Sequence, residues 1–132
     1  MREAGTGYHW GQGARLRAKR NWLGISVEEM LGKMTTEVGR SPGFRSYQRM
    51  ESGTDAIHES LWDSVKQVEA AMERDVEALI ESVPADTSEH IVQLPAGTSG
   101  WWKQVIARAV HADPRIVPKT EEDILAEQEM TG

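Results

Sequence analysis

A chain of 132 residues has room for one modest domain, or for a small domain with an appendage. It has no Cys, so a disulfide framework, a thiolate metal site and a cysteine nucleophile are excluded, and a cytoplasmic protein is expected. No apolar run approaches the ~20 residues that cross a bilayer, and the opening MREAGTGYHWGQGARLRAKR has no apolar leader core, so no membrane partner is expected. The net charge of -6 hides a division. Residues 1–50 hold nine Arg and Lys against four Asp and Glu, whereas residues 51–132 hold six against seventeen. A basic head suited to a polyanion and an acidic remainder is the expectation.

Residues 1–13 are rich in Gly around Tyr8, His9 and Trp10, the composition of a flexible arm. A first helix begins near Ala14, with Leu16, Ala18, Trp22 and Leu23 as its apolar candidates, and Gly24 ends it. Ser26 and Glu29 then form a capping box, and Ile25 and Met30 stand at the positions of a hydrophobic staple. Val27, Met30, Leu31 and Met34 continue as a buried stripe, which predicts a second helix over 27–35. The stretch TTEVGR breaks the period, and Ser41 with Pro42 signals a third helix over 42–51, closed by Gly53. On it Phe44, Tyr47 and Met50 share one side with Glu51 at the edge, while Arg45, Gln48 and Arg49 face away, with Ser46 near the boundary.

From Ile57 to Val83 apolar residues recur every three or four positions, the pattern of one long helix of roughly 39 Å. Its second half needs cover from the C-terminal segment or from another subunit. After a linker at 84–89, HIVQLP reads as a strand, Trp101 to Val110 as an amphipathic helix and RIVP as a second strand. Residues 119–132 read as one acidic helix capped at Thr120. The predicted class is mostly α, a helix-turn-helix bundle at 14–83 followed by a small strand-helix-strand extension at 84–132.

The four His are scattered without ligand spacing, Gly11-Gln12-Gly13 lacks the frame of a dinucleotide loop, and no nucleophile elbow occurs. No catalytic residue, metal site or cofactor is expected, and the protein is read as not an enzyme. What remains is three short helices, the second and third joined by a turn, with planar donors on the outer face of the third. That is the organisation of a helix-turn-helix DNA reader.

LGISVEEMLGKM followed by FRSYQRMESG resembles the Cro/repressor-type helix-turn-helix, and the long helix with WWKQVIARAV beyond it is similar in style to anti-CRISPR-associated repressors of phages and bacteria. The chain departs from that pattern in the length of TTEVGRSPG, which exceeds the family's short Gly-Val-Ser turn, and in carrying Lys19 where the first helix is usually apolar. The resemblance implies that Ser26 and Glu29 cap the second helix, that Arg49 and Glu51 brace the third, and that Gly53 supplies the turn after it. It places base reading on Gly43, Arg45, Ser46 and Gln48. Arg15, Arg17, Lys19, Arg20 and Arg40 are candidates for phosphate, which supplies affinity without reading sequence.

The expected partner is double-stranded DNA, bound at a palindromic operator by a homodimer, because one short helix reads too few base pairs to select a site. Trp101, Trp102, Val105, Ile106, Ile116 and Val117 are the candidate dimer interface, as apolar material that a short extension leaves uncovered. The alternative is a protein-interaction module, antitoxin-like or a phage host-takeover protein, whose acidic half captures a protein partner.

Overall fold

The computed structural model describes residues 5–131. Its contacts divide the chain at Met72 and Glu73, inside a helix rather than after residue 83. The fold is mostly α: six helices among the described residues, with a short antiparallel strand pair in the first unit and a small parallel sheet in the second.

In the first unit, β1 (Tyr8–His9) pairs antiparallel with β2 (Ile57–His58). The Tyr8 ring meets His58 edge-on with centroids 4.8 Å apart, and the Glu59 N–H donates to the Gly7 carbonyl at 2.7 Å. The segment expected as a flexible arm thus contains a paired strand, and its residues 1–4 lie outside the described residues. Pairing also takes Ile57 out of the long helix, which begins at Ser60, where the Ser60 N–H is met by His58 Nδ1 at 3.1 Å. That contact satisfies one of the free donors of a helix start.

Helix α1 (Gly13–Leu23) buries Leu16 and Leu23. Gly13, assigned to the arm by its neighbours, is a packing residue: a Cβ there would lie 2.6 Å from the Met50 carbonyl oxygen and 2.7 Å from that of Glu51. Only a hydrogen lets the start of α1 come so close to the end of the third helix. Helix α2 (Val27–Val38) opens with the expected capping box, Glu29 N–H to Ser26 Oγ at 3.1 Å and Glu29 Oε1 back to the Ser26 N–H at 3.5 Å. The staple residues Ile25 and Met30 are both buried. The helix runs three residues beyond the predicted 35, because Thr35 and Thr36 return their hydroxyls to the Leu31 and Gly32 carbonyls and stay helical. Gly39, at φ 88°, ends it in a conformation that glycine adopts without strain.

Helix α3 (Phe44–Glu51) starts two residues later than predicted. Ser41 does not cap it, since its hydroxyl pairs with Thr35 Oγ1 at 3.2 Å, and Gly43 stands at the cap instead. The link between α2 and α3 is therefore the five residues 39–43, shorter than TTEVGRSPG suggested. Tyr47 is fully buried and Met50 half-buried, but Phe44 is 43% exposed and does not share their packing. The first half of α4 (Ser60–Glu81) buries Leu61, Val65, Val68 and Met72.

The second unit takes the expected strand-helix-strand order. β3 (His90–Leu94) and β4 (Ile116–Thr120) are parallel, with Val92 opposite Pro118, and α5 (Gly100–Ala112) makes the crossover that parallel strands require. Ser99 caps α5. Val83, Ala109 and Ile116 form a core with Val76, Leu79, Ile80, Val92 and Val110 around it, so the late turns of α4 are covered by the C-terminal segment. Arg115 holds Asp113 through Nε at 3.0 Å and Nη2 at 2.8 Å and reaches the Pro84 carbonyl at 3.2 Å, which pins the linker after α4. Helix α6 (Glu121–Thr131) is capped at Thr120 as predicted, with Asp123 N–H donating to Thr120 Oγ1 and Thr120 N–H to the Asp123 carboxylate.

Gly13→Ala tests the close approach of α1 to α3. Two backbone oxygens cannot rotate away as a side chain would, so the variant is expected to lose about 1–3 kcal/mol in a urea denaturation. An unchanged midpoint would contradict the packing described.

Candidate nucleic-acid interface

Glu51 ends α3 facing inward, where it is 7% exposed, and a buried carboxylate requires a cation. Arg20 of α1 supplies it with a two-pronged grip, Nε to Oε2 at 2.8 Å and Nη2 to Oε1 at 2.9 Å, while Nη1 donates to the Ile25 carbonyl at 2.9 Å. Arg17 approaches the same carboxylate at 3.7 Å. Burial by itself would raise the Glu51 pKa, but the Arg20 hydrogen bonds and the charges of Arg20 and Arg17 outweigh it and leave the carboxyl below its ordinary value. Tyr47, one turn earlier on α3, is buried beside the pair, and that burial pushes its phenol pKa well up.

This arrangement corrects two expectations. Arg20 is engaged inside the fold rather than open to phosphate, because the nearest carboxylate to its guanidinium is buried and has no other cation as close. The brace on Glu51 comes from Arg20 and not from Arg49, which pairs with Asp55 at 3.0 Å after the turn at Gly53. Gly53 itself has φ 82°, the turn conformation expected of it.

Because Tyr47 and Glu51 are one helical turn apart and face inward, Arg45 and Arg49 fall on the opposite side and Gln48 beside them. Arg17, Arg45, Gln48 and Arg49 line one cleft of about 590 Å³, with Val27 and Ser52 at its margin and the Arg20–Glu51 pair in its wall. Arg17 and Arg49 keep 58% and 60% of their side chains in water. Arg45 and Gln48 are exposed, and neither side chain has a hydrogen-bond or ion-pair partner among the described residues. Guanidinium forks and a carboxamide in one open cleft match phosphate oxygens and the acceptor edges of bases.

The other candidates disperse. Ser46 is exposed but borders a separate groove with Tyr8, Trp10 and Met50, and Gly43 is the exposed cap of α3. Arg15 lies over the Trp62 ring, 4.2 Å from its centroid, and Lys19 reaches Glu69 of α4 at 3.4 Å, which explains a lysine at a position where an apolar residue was expected. Arg40 is exposed in the turn before α3.

Among the candidate interface residues of the second unit, Trp101, Val105, Ile106 and Ile116 are buried, Ile116 in the core around Val83 and Ala109. The Trp101 indole N–H donates to Asp75 at 2.8 Å. Buried as they are, these four are not uncovered material. Val117 is half-buried and only Trp102, at 49%, is strongly exposed. No helix among the described residues is long and apolar enough to cross a membrane. No protein-family profile, curated protein or solved structure matches this chain.

Glu51→Gln removes the charge that Arg20 is built to meet. Loss of one partner of a buried pair is expected to cost about 3 kcal/mol, the lower end of the range because Arg20 keeps some access to water. A carboxyl whose pKa is lowered by folding stabilises the protein fully above its ordinary value of 4.5 and less as pH falls through the folded-state pKa. Urea midpoints across that acid range should therefore fall for the parent and be flatter for Glu51→Gln.

Proposed function

We propose that the first unit is a sequence-specific reader of double-stranded DNA, of the Cro/repressor type, and that the protein acts as a homodimeric transcriptional repressor at a palindromic operator. The observation that carries this reading is the unpartnered pair Arg45 and Gln48, exposed on a helix whose inner face is held by Glu51 and Tyr47. Among the described residues neither is tied to a partner inside the fold, so both are free to meet a ligand. They also suit the major groove, where Arg matches the paired acceptors of guanine and Gln the donor and acceptor of adenine.

Arg17 and Arg49 stand beside them as phosphate contacts. Such contacts fix register and set the salt dependence without choosing a sequence. A homodimer follows from the recognition problem: two short helices about one turn of DNA apart, roughly 34 Å, read enough base pairs to select a site.

Selection of bound sequences from a random DNA pool should return a palindrome. On that site Arg45→Ala is expected to lose about 1–3 kcal/mol and to relax preference at one position in each half. Arg17→Ala should weaken binding to all sequences alike and reduce the slope of affinity against salt. If Arg45→Ala bound the selected site as well as the parent, α3 would not be the reading element.

A further inference from the structure

We infer that the outer edge of β3 is where two copies of this chain join, β3 pairing antiparallel with β3 of the second copy about a two-fold axis at Val92. The inference rests on the homodimer in the proposed reading and gives it an interface. It replaces the six residues expected to form one, of which four are core.

The direction of each backbone group decides the matter. The His90 N–H donates to the Arg115 carbonyl at 2.7 Å, so His90 faces β4. In a parallel ladder the groups alternate, and Val92 and Leu94 face β4 as well. The N–H and C=O of Ile91 and Gln93 consequently point away from β4, to an edge on which the sheet has no further strand among the described residues. The same alternation turns Val117 and Lys119 of β4 toward β3 and leaves Pro118 facing out. The outer edge of β4 therefore lacks a donor at its centre, a usual protection of sheet edges. β3 has no such protection: HIVQL contains no proline and no residue of fixed charge.

The occupant that fits this edge is the edge itself. With Val92 opposite Val92 of a second copy, Ile91 of each chain stands opposite Gln93 of the other, and each such pair exchanges both its N–H and its C=O. Every outward backbone group of the two residues is satisfied in one register. Two strands alone make a marginal sheet, and the pairing would make four. An open apolar groove of about 390 Å³, lined by Leu79, Val92, Leu94, Trp102 and Ile106 and by no residue of β4, lies along β3. It offers cover to the helix-facing side chains of an incoming strand. Glu89, the nearest carboxylate before β3, lies three positions from the axis, so the acidic character of this unit does not bring like charges together at the joint.

Sedimentation of the full chain without DNA, at micromolar concentration, is expected to give a dimer. Ile91 and Gln93 have exposed side chains, so both can be changed without touching the core. Ile91→Lys with Gln93→Lys sets like charges opposite each other across the joint and should raise the dimer dissociation constant by about tenfold or more, whereas Ile91→Lys with Gln93→Glu sets opposite charges there and should retain the dimer. Gln93→Pro removes an outward N–H without removing a bond to β4, and should give a monomer whose circular dichroism is that of the parent. Since the chain has no Cys, Val92→Cys should form a covalent dimer on mild oxidation. A monomeric parent, or a dimer indifferent to all four changes, would overturn the inference. Salt-dependent binding of random DNA, measured on the same proteins, reports on the first unit separately. A Gln93→Pro monomer that still binds random DNA leaves both readings standing, and a β3-dependent dimer with no affinity for DNA would sink the DNA reading alone.

Discussion

The guanidinium of Arg20 is where the first unit is decided. Its three nitrogens reach the carboxylate that ends α3 and the carbonyl of Ile25, in the turn that leads from α1 to α2. A carboxylate buried without that grip would be costly, and the same cation with no carboxylate would favour water. One side chain therefore holds the end of α3, the body of α1 and the start of α2 in register. Gly13 allows the approach, since anything larger would meet the backbone of Met50 and Glu51. The outward direction of Arg45 and Gln48 is a consequence of what is held inside.

Features written by local chemistry were legible in the residues alone. The capping box at Ser26 and Glu29, the apolar stripe through Met30 and Met34, and the strand-helix-strand order after residue 89 all depend on near neighbours, and all are present. The misread boundaries come from local signals with two outlets. Ser41 and Pro42 have the form of a helix start, but the hydroxyl of Ser41 is taken by Thr35, and Thr35 itself continues a helix that its residue type does not favour.

Long-range side-chain pairs were not legible. Arg20 lies among basic residues of similar appearance, and what distinguishes it is an acid 31 positions away. Lys19, next to it, finds Glu69 in another helix. Trp101 and Trp102 are adjacent and chemically identical, yet one is core and the other half in water, because a helix separates neighbours by about 100°. Of the cleft, the exposed face of α3 was visible in the spacing of Arg45, Gln48 and Arg49. The contribution of Arg17 could be named only as one candidate among five.

Pro118 bears on stoichiometry. A sheet with two available edges can add strands from both ends, which is the geometry of a growing fibre. Here one edge carries a ring nitrogen in place of a donor at its middle residue, so strand addition has a single direction. A surface that meets its own copy about a two-fold axis is used up by the first encounter. In the β3-paired dimer proposed above, a single imino acid separates an assembly that closes at two from one with no natural end.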